Sequence, residues 1–249
     1  MGTLRRTMTI TACLVAIAIS PAHSEPSKKG REYYEARGEI VWEVPTEEKV
    51  IALTFDDGPD PVDTPAILEL LRQYEAKATF FVVGQRVEKY PALAQREAAE
   101  GHEIANHTYS HKYMNKRKLS AEQIEDEIVK TERSIMQATG QKPYLFRPPG
   151  GYYNEQVVSA SKKSGYKVVM WSWHQDTEDW NTPGIGKIVN KVLKNARNGD
   201  IVLFHDYVEG KSQTVEALKQ ILPELKQRGF RFITVSELLT HRKAAAVEK

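Results

Sequence analysis

Only one cysteine, Cys13, occurs in the 249 residues, so the chain cannot close an internal disulfide or build a multi-thiolate metal site. An excess of either charge is missing too: 35 basic side chains face 33 acidic ones. Nucleic-acid binders carry a marked basic excess, so no nucleic-acid partner is expected. No apolar run approaches the roughly 20 residues that a membrane-spanning helix needs. Internal repeats are absent, and low complexity is confined to the short Lys/Ala tail after His241. What is present is an ordinary globular composition, 41% apolar and 27% charged, enough for a sizeable core.

The first 24 residues differ from the rest. Arg5 and Arg6 precede an apolar stretch, Met8–Ile19, and then the small-residue segment Ala22-His23-Ser24. This is the pattern of a cleaved secretory signal, residues 1–24, with an uncleaved anchor as the alternative. Cleavage would remove Cys13, Arg5 and Arg6 and leave 33 basic against 33 acidic residues. A thiol-free chain of zero net charge suits an exported protein, either extracellular or associated with the cell envelope. Residues 25–48 read as a polar linker with an edge element at Ile40-Val41-Trp42, residues 49–240 as one domain, and 241–249 as a tail.

From Lys49 onward, short β-branched or aromatic runs alternate with segments of helical spacing. Strands are expected at Val50–Phe55, Ala78–Val83, Glu103–Asn106, Tyr144–Arg147, Lys167–Trp173, Ile201–His205 and Arg231–Val235. Helix signals lie between them: Pro65 in a first turn, a capping box at Ser120–Gln123, and Asn154 as an N-cap. Gly140, Gly165, Gly199 and Gly229 serve as stops. The helix 212–228 contains Pro223, which predicts a kink. Strands each followed by a helix imply parallel pairing with right-handed crossovers. The expected fold class is α/β, a distorted, TIM-like (β/α)7 barrel in a single domain, with a flat doubly wound sheet as the alternative.

On this frame the polar residues gather at one end. Asp56 and Asp57 follow the first strand, His107 and His111 the third, Arg147 ends the fourth, Asp176 and Asp179 follow the fifth, and His205 ends the sixth. In β/α barrels the carboxyl ends of the strands hold the chemistry. In HTYSH, residues 107–111, one helical turn would aim both imidazoles at a single ion, and Asp57 is the natural third ligand of a zinc-type site with an open position. Asp56, held by Arg147, is then free to take a proton from bound water. For both carboxylates to face the ion the chain must turn at Asp57, and Gly58-Pro59 supplies such a turn. His205, with Asp179 as anionic partner, is placed to donate a proton, and Trp180 and Leu203 are candidate apolar walls. His102, His174 and Asp206 have no spacing that ties them to the ion.

In this order TFDDGP, HTYSH, RPPGG, DTEDW and LFH resemble the five motifs of the polysaccharide deacetylases, carbohydrate esterase family 4, the NodB-homology domain, across residues 49–239. The resemblance implies a distorted (β/α)7 barrel and metal-dependent removal of N-acetyl groups from glycans built on N-acetylglucosamine (peptidoglycan, chitin oligomers or poly-N-acetylglucosamine), or of O-acetyl groups from xylan. It implies Asp56 as base with Arg147 holding it, and His205 as acid tuned by Asp179. Asp57, His107 and His111 would ligate Zn2+, with Co2+ or another divalent ion as substitute. Leu203 and Trp180 would line an acetyl-methyl pocket, and the Gly150 amide would face the oxyanion. The family often has an aromatic side chain where this chain has Gly150; Tyr152 or Tyr153 could supply that wall. A polysaccharide is the one partner expected, with a monomeric chain. A glycosidase using Asp56 and Asp179, and a sugar-binding protein without turnover, are the competing readings.

Overall fold

The computed structural model describes Gly2, residues 29–114 and residues 119–242. The segment expected to be a secretory signal, Gly2 apart, and the tail beyond Arg242 lie outside the described residues. Among the described residues eight strands are formed: β1 Ile40–Val41, β2 Val50–Asp56, β3 Ala78–Val82, β4 Glu103–Asn106, β5 Leu145–Phe146, β6 Lys167–Val169, β7 Ile201–His205 and β8 Arg231–Phe232. Every pairing is parallel, in the order β1-β6-β5-β4-β3-β2-β7, and β8 adds to β2. From β6 to β2 the order runs one way without reversal. That is the winding of a barrel, not of a doubly wound sheet, whose strand order reverses at a switch point.

β2 shows how sequence sets the layers. All seven of its residues are buried, as expected of a parallel strand covered on both faces. Ile51, Leu53 and Phe55 pack with Ile67, Leu71, Leu218 and Leu222 of the flanking helices. Val50 and Ala52 instead meet Phe81, Ala105, Leu145, Val169 and Ile201 of the other strands, forming the barrel interior. Period-two alternation carries the inner face onward through Thr54 to Asp56. On the outer face Phe55 stacks between Phe80 and Phe204, with ring centroids 5.1 and 5.7 Å away. Truncating it to Ala would cost about 3–5 kcal/mol.

The capping box forms, with Ser120 and Gln123 each accepting the other's backbone N–H, and Gly140 closes that helix in the left-handed region. Asn154 accepts from Val157 N. The helix Thr214–Gln227 runs without a break through Pro223. Four strand expectations shorten, that at Ala78–Val83 by a single residue. The run 167–173 stops pairing as β6 at Val169, because the chain then crosses from β1 to β7: Met170 N donates to Val41 O and Ser172 N to Ile201 O. With the bridge between Asp176 and Leu203, this segment closes the barrel irregularly. Tyr144 and Arg147 flank β5 instead of belonging to it, and 231–235 yields to a helix at Val235 that Thr234 caps. Within 29–48, the helix Arg31–Ala36 and β1 are packed parts of the domain, with Tyr34, Trp42 and Val44 buried. No helix among the described residues is long and apolar enough to cross a membrane.

Candidate active site

Asp56 ends β2 on the inner face, 3% exposed. Arg147, wholly buried just beyond β5, donates to its Oδ1 at 2.6 Å. The rest of the guanidinium is satisfied by Thr54 Oγ1, Val169 O and Met170 O, and it lies 4.0 Å from the Phe81 ring centroid. Such a buried charge is tolerable because its fork of donors is matched and its counter-ion is in contact. The effect on Asp56 is to fix its orientation.

The turn predicted after Asp56 is present. Asp57 has φ +76°, so it does not flip to the outer face as a continuing strand would require, and the Gly58–Pro59 peptide that follows is cis. Its Oδ1 lies 3.3 Å from His107 Nε2 and 3.0 Å from His111 Nε2. That oxygen is buried and accepts no hydrogen bond. His107 Nδ1 sits 2.8 Å from Arg147 O. A carbonyl can only accept, so Nδ1 carries a proton, and Nε2 is the nitrogen turned toward Asp57. Burial opposes ionisation of Asp57, yet contact with the two imidazoles holds its carboxyl well below the usual range. The His107–His111 pairing is reached differently than expected. Residues 107–111 form no helical turn; an irregular loop, with Thr108 and His111 at positive φ, curls the two rings together. Glu127 pins that loop by accepting from Tyr109 N, Ser110 N and Ser110 Oγ.

Opposite stands His205 at the end of β7. Its Nδ1 lies 2.7 Å from Asp179 Oδ1, while Asp179 Oδ2 accepts from His205 N and Thr214 Oγ1. Burial lowers the imidazole pKa, but the charge and hydrogen bond of Asp179, with Asp57 and Asp56 beyond, raise it to about 10. The ring is therefore an imidazolium near neutral pH. These residues share a pocket with Gly150, Tyr152, Trp180 and Leu203.

The model of the polysaccharide deacetylase family matches residues 43–169. A peptidoglycan N-acetylglucosamine deacetylase of Bacillus cereus is 52% identical over 212 residues, 85% of this chain and 98% of that protein. The chain belongs to the polysaccharide deacetylase family. A crystal structure of a peptidoglycan N-acetylglucosamine deacetylase, in complex with 4-naphthalen-1-yl-N-oxidanyl-benzamide, superposes with a TM-score of 0.78 at 37% identity and covers 84% of this chain and 97% of that one. A family 4 acetyl xylan esterase of Clostridium thermocellum, in complex with a cobalt ion, gives a TM-score of 0.71 at 37% identity and covers 77% and 91%. The protein is thus a polysaccharide deacetylase, a hydrolase acting on N-acetyl amides, on a barrel-like α/β fold.

Each site residue expected from the sequence lies in or directly behind this deacetylase pocket. Gly150 is at φ +65°, and a Cβ there would come within 2.6 Å of Tyr113 and 2.8 Å of Tyr152. The wall absent at Gly150 is thus occupied by two tyrosine rings. Tyr153 does not contribute, because it packs edge-on against Tyr34 and Trp42. Sequence reasoning missed Tyr113, Trp171 and the Arg147-binding Thr54, and gave Asp176 no role although it lines the pocket. Thr54 could have been found from the alternation of β2, and Tyr113 from its place two residues past His111. The glycosidase reading fails on Asp179: fully buried and committed to His205 and Thr214, it cannot flank a glycosidic bond. His102 stays apart from the site, accepting from Ala78 N through Nδ1 while burial lowers its pKa to about 4. His174 pairs with Asp200, near Glu43.

Proposed function

We propose that this deacetylase is a metal-dependent, exported enzyme that removes N-acetyl groups from N-acetylglucosamine in peptidoglycan or related glycans. The observation that carries the metal reading is the convergence of the two imidazole nitrogens on the partnerless Oδ1 of Asp57. Three donors packed so closely, one of them an unsatisfied buried carboxylate oxygen, fit a cation. Two imidazoles, one carboxylate and an open side suit Zn2+, with Co2+ next. Held by Asp57, His107 and His111, the ion would polarise the acetyl carbonyl and make water a nucleophile near neutral pH. Peptidoglycan is favoured by the relatives; export rests on the N-terminal sequence pattern.

The chain's own groups supply the remaining steps. Asp56, oriented by Arg147, takes a proton from the attacking water. The Gly150 amide donates to the oxyanion as the carbonyl carbon becomes tetrahedral. His205 gives its Nε2 proton to the sugar nitrogen as the C–N bond breaks, leaving acetate and a free amine. Asp179 keeps that imidazole charged and oriented, and Leu203, Trp180 and Tyr152 flank the acetyl group and sugar.

The test is acetate release from N-acetylglucosamine oligomers and from purified peptidoglycan, by metal-depleted and zinc-refilled protein, with product masses read. Loss of acetyl groups at unchanged chain length, on refilling only, is expected. Equal turnover by depleted protein would remove the metal from the mechanism. Acetate released from acetylated xylan alone would redirect the substrate.

A further inference from the structure

Asp206 follows the catalytic His205 yet points away from the reaction. It is 1% exposed, and its carboxyl lies directly against Gly58: a Cβ on Gly58 would come within 1.9 Å of Oδ2 and 2.3 Å of Cγ. Oδ2 meets the Thr64 hydroxyl at 2.5 Å, and the same hydroxyl accepts from Asp60 N at 2.7 Å. Asp206 N donates to Asp56 O. The next residue, Tyr207, lays its ring 3.5 Å from the Arg86 guanidinium, and Arg86 bonds both Pro59 O and Asp60 Oδ2. The end of β7 therefore grips the 56–60 turn along its whole length.

That turn needs a grip. Asp57 sits in the left-handed region, which costs an L-residue about 1–2 kcal/mol and persists only where surrounding contacts enforce it. Relaxing it toward the strand conformation would swing the Asp57 carboxylate away from His107 and His111. We propose that Asp206 is a positioning residue which, through Gly58 and Thr64, holds Asp57 in the conformation that completes the metal site. Gly58 is then glycine for close approach to the Asp206 carboxyl, and the two residues form one unit. The inference rests on the proposed metal site.

Zinc affinity, read by calorimetry on the metal-depleted full chain, tests it independently of turnover. Wild type should take up one ion. Asp206→Ala should weaken binding by about 10–100-fold, the usual loss when a supporting partner of a ligand is removed. Asp206→Asn, which preserves the shape, should stay within about threefold of wild type by the same reasoning. Gly58→Ala should also weaken binding, and adding Asp206→Ala to it should recover part of the loss by clearing space for the new Cβ. Wild-type affinity in a folded Asp206→Ala chain, or a double variant no better than Gly58→Ala alone, would overturn the proposal. Should Asp206→Ala not fold, Thr64→Val carries the test: it should weaken zinc binding and Thr64→Ser should restore it, and an unchanged Thr64→Val would overturn the proposal. A wild-type chain that takes up no zinc would overturn the metal site itself and this inference with it.

Discussion

The rim cluster Asp57–His107–His111 and the flank cluster Glu43–His174–Asp200 draw on the same kinds of side chain, each with donor atoms within 4.8 Å of one another. Their surroundings differ. On the flank, Asp200 accepts from Gln175 Nε2 and Arg197 N and meets His174 Nε2 at 2.9 Å, while Arg31 neutralises Glu43 at 2.7 Å. Protein groups already occupy those oxygens, and the cluster ties the N-terminal segment to the barrel. At the rim, Asp57 Oδ1 is buried beside two imidazole nitrogens and accepts no hydrogen bond. Spacing alone does not distinguish a staple from a ligand set; unmet hydrogen-bonding capacity does.

The largest effects should come from breaking the rim. Asp57→Ala is expected to abolish zinc uptake and lower acetate release by about a thousandfold or more, since the ion's contribution amounts to several kcal/mol of transition-state stabilisation. Behind the rim, Arg147→Ala should cost about 3–5 kcal/mol in denaturant melts, because Asp56 would be left buried without its counter-ion. Arg147→Lys should recover only part of that, having no planar fork for Asp56, Thr54 and two carbonyls. On the flank, Asp200→Asn should lower stability by about 1–3 kcal/mol and leave the zinc stoichiometry unchanged. Loss of an ion in that variant would erase the distinction between the clusters.

A subtler change concerns His205. Its folded pKa is raised from 6.5 to about 10, so the stability it contributes is fully present below pH 6.5 and is lost as pH rises through about 10. On the proposed mechanism, His205 stays loaded as proton donor over the same window. Asp179→Asn removes the charge that opposes burial, so the alkaline limb of the rate profile should move to lower pH. An unmoved limb would separate His205 from that limb.

Much of this was legible in the sequence because it rests on period and punctuation. Apolar runs such as Val50–Phe55, the capping box at Ser120 and the glycine stops at Gly140, Gly165 and Gly229 placed strands and helices, whereas the helix expected to end at Gly199 stops at Asn195. Sequence order put Asp56, His107, Arg147 and His205 at one barrel rim. What could not be read depends on non-local approach. The His107–His111 loop curls through positive φ at Thr108 and His111, not through a helical turn. The segment after Val169 changes partners across the barrel, and Tyr113 closes over Gly150. The grip of Asp206 on Gly58 joins residues 148 positions apart, and no local pattern in the sequence announces it.

In the proposed mechanism adjacent carboxylates take different tasks, Asp57 the ion and Asp56 the proton. The most direct test measures zinc uptake and acetate release on the same preparation of Asp56→Asn. One equivalent of zinc retained, with acetate release reduced by about 10²–10⁴-fold, is the predicted result. Zinc lost together with activity, or a rate near that of wild type, would contradict the division of labour between Asp56 and Asp57.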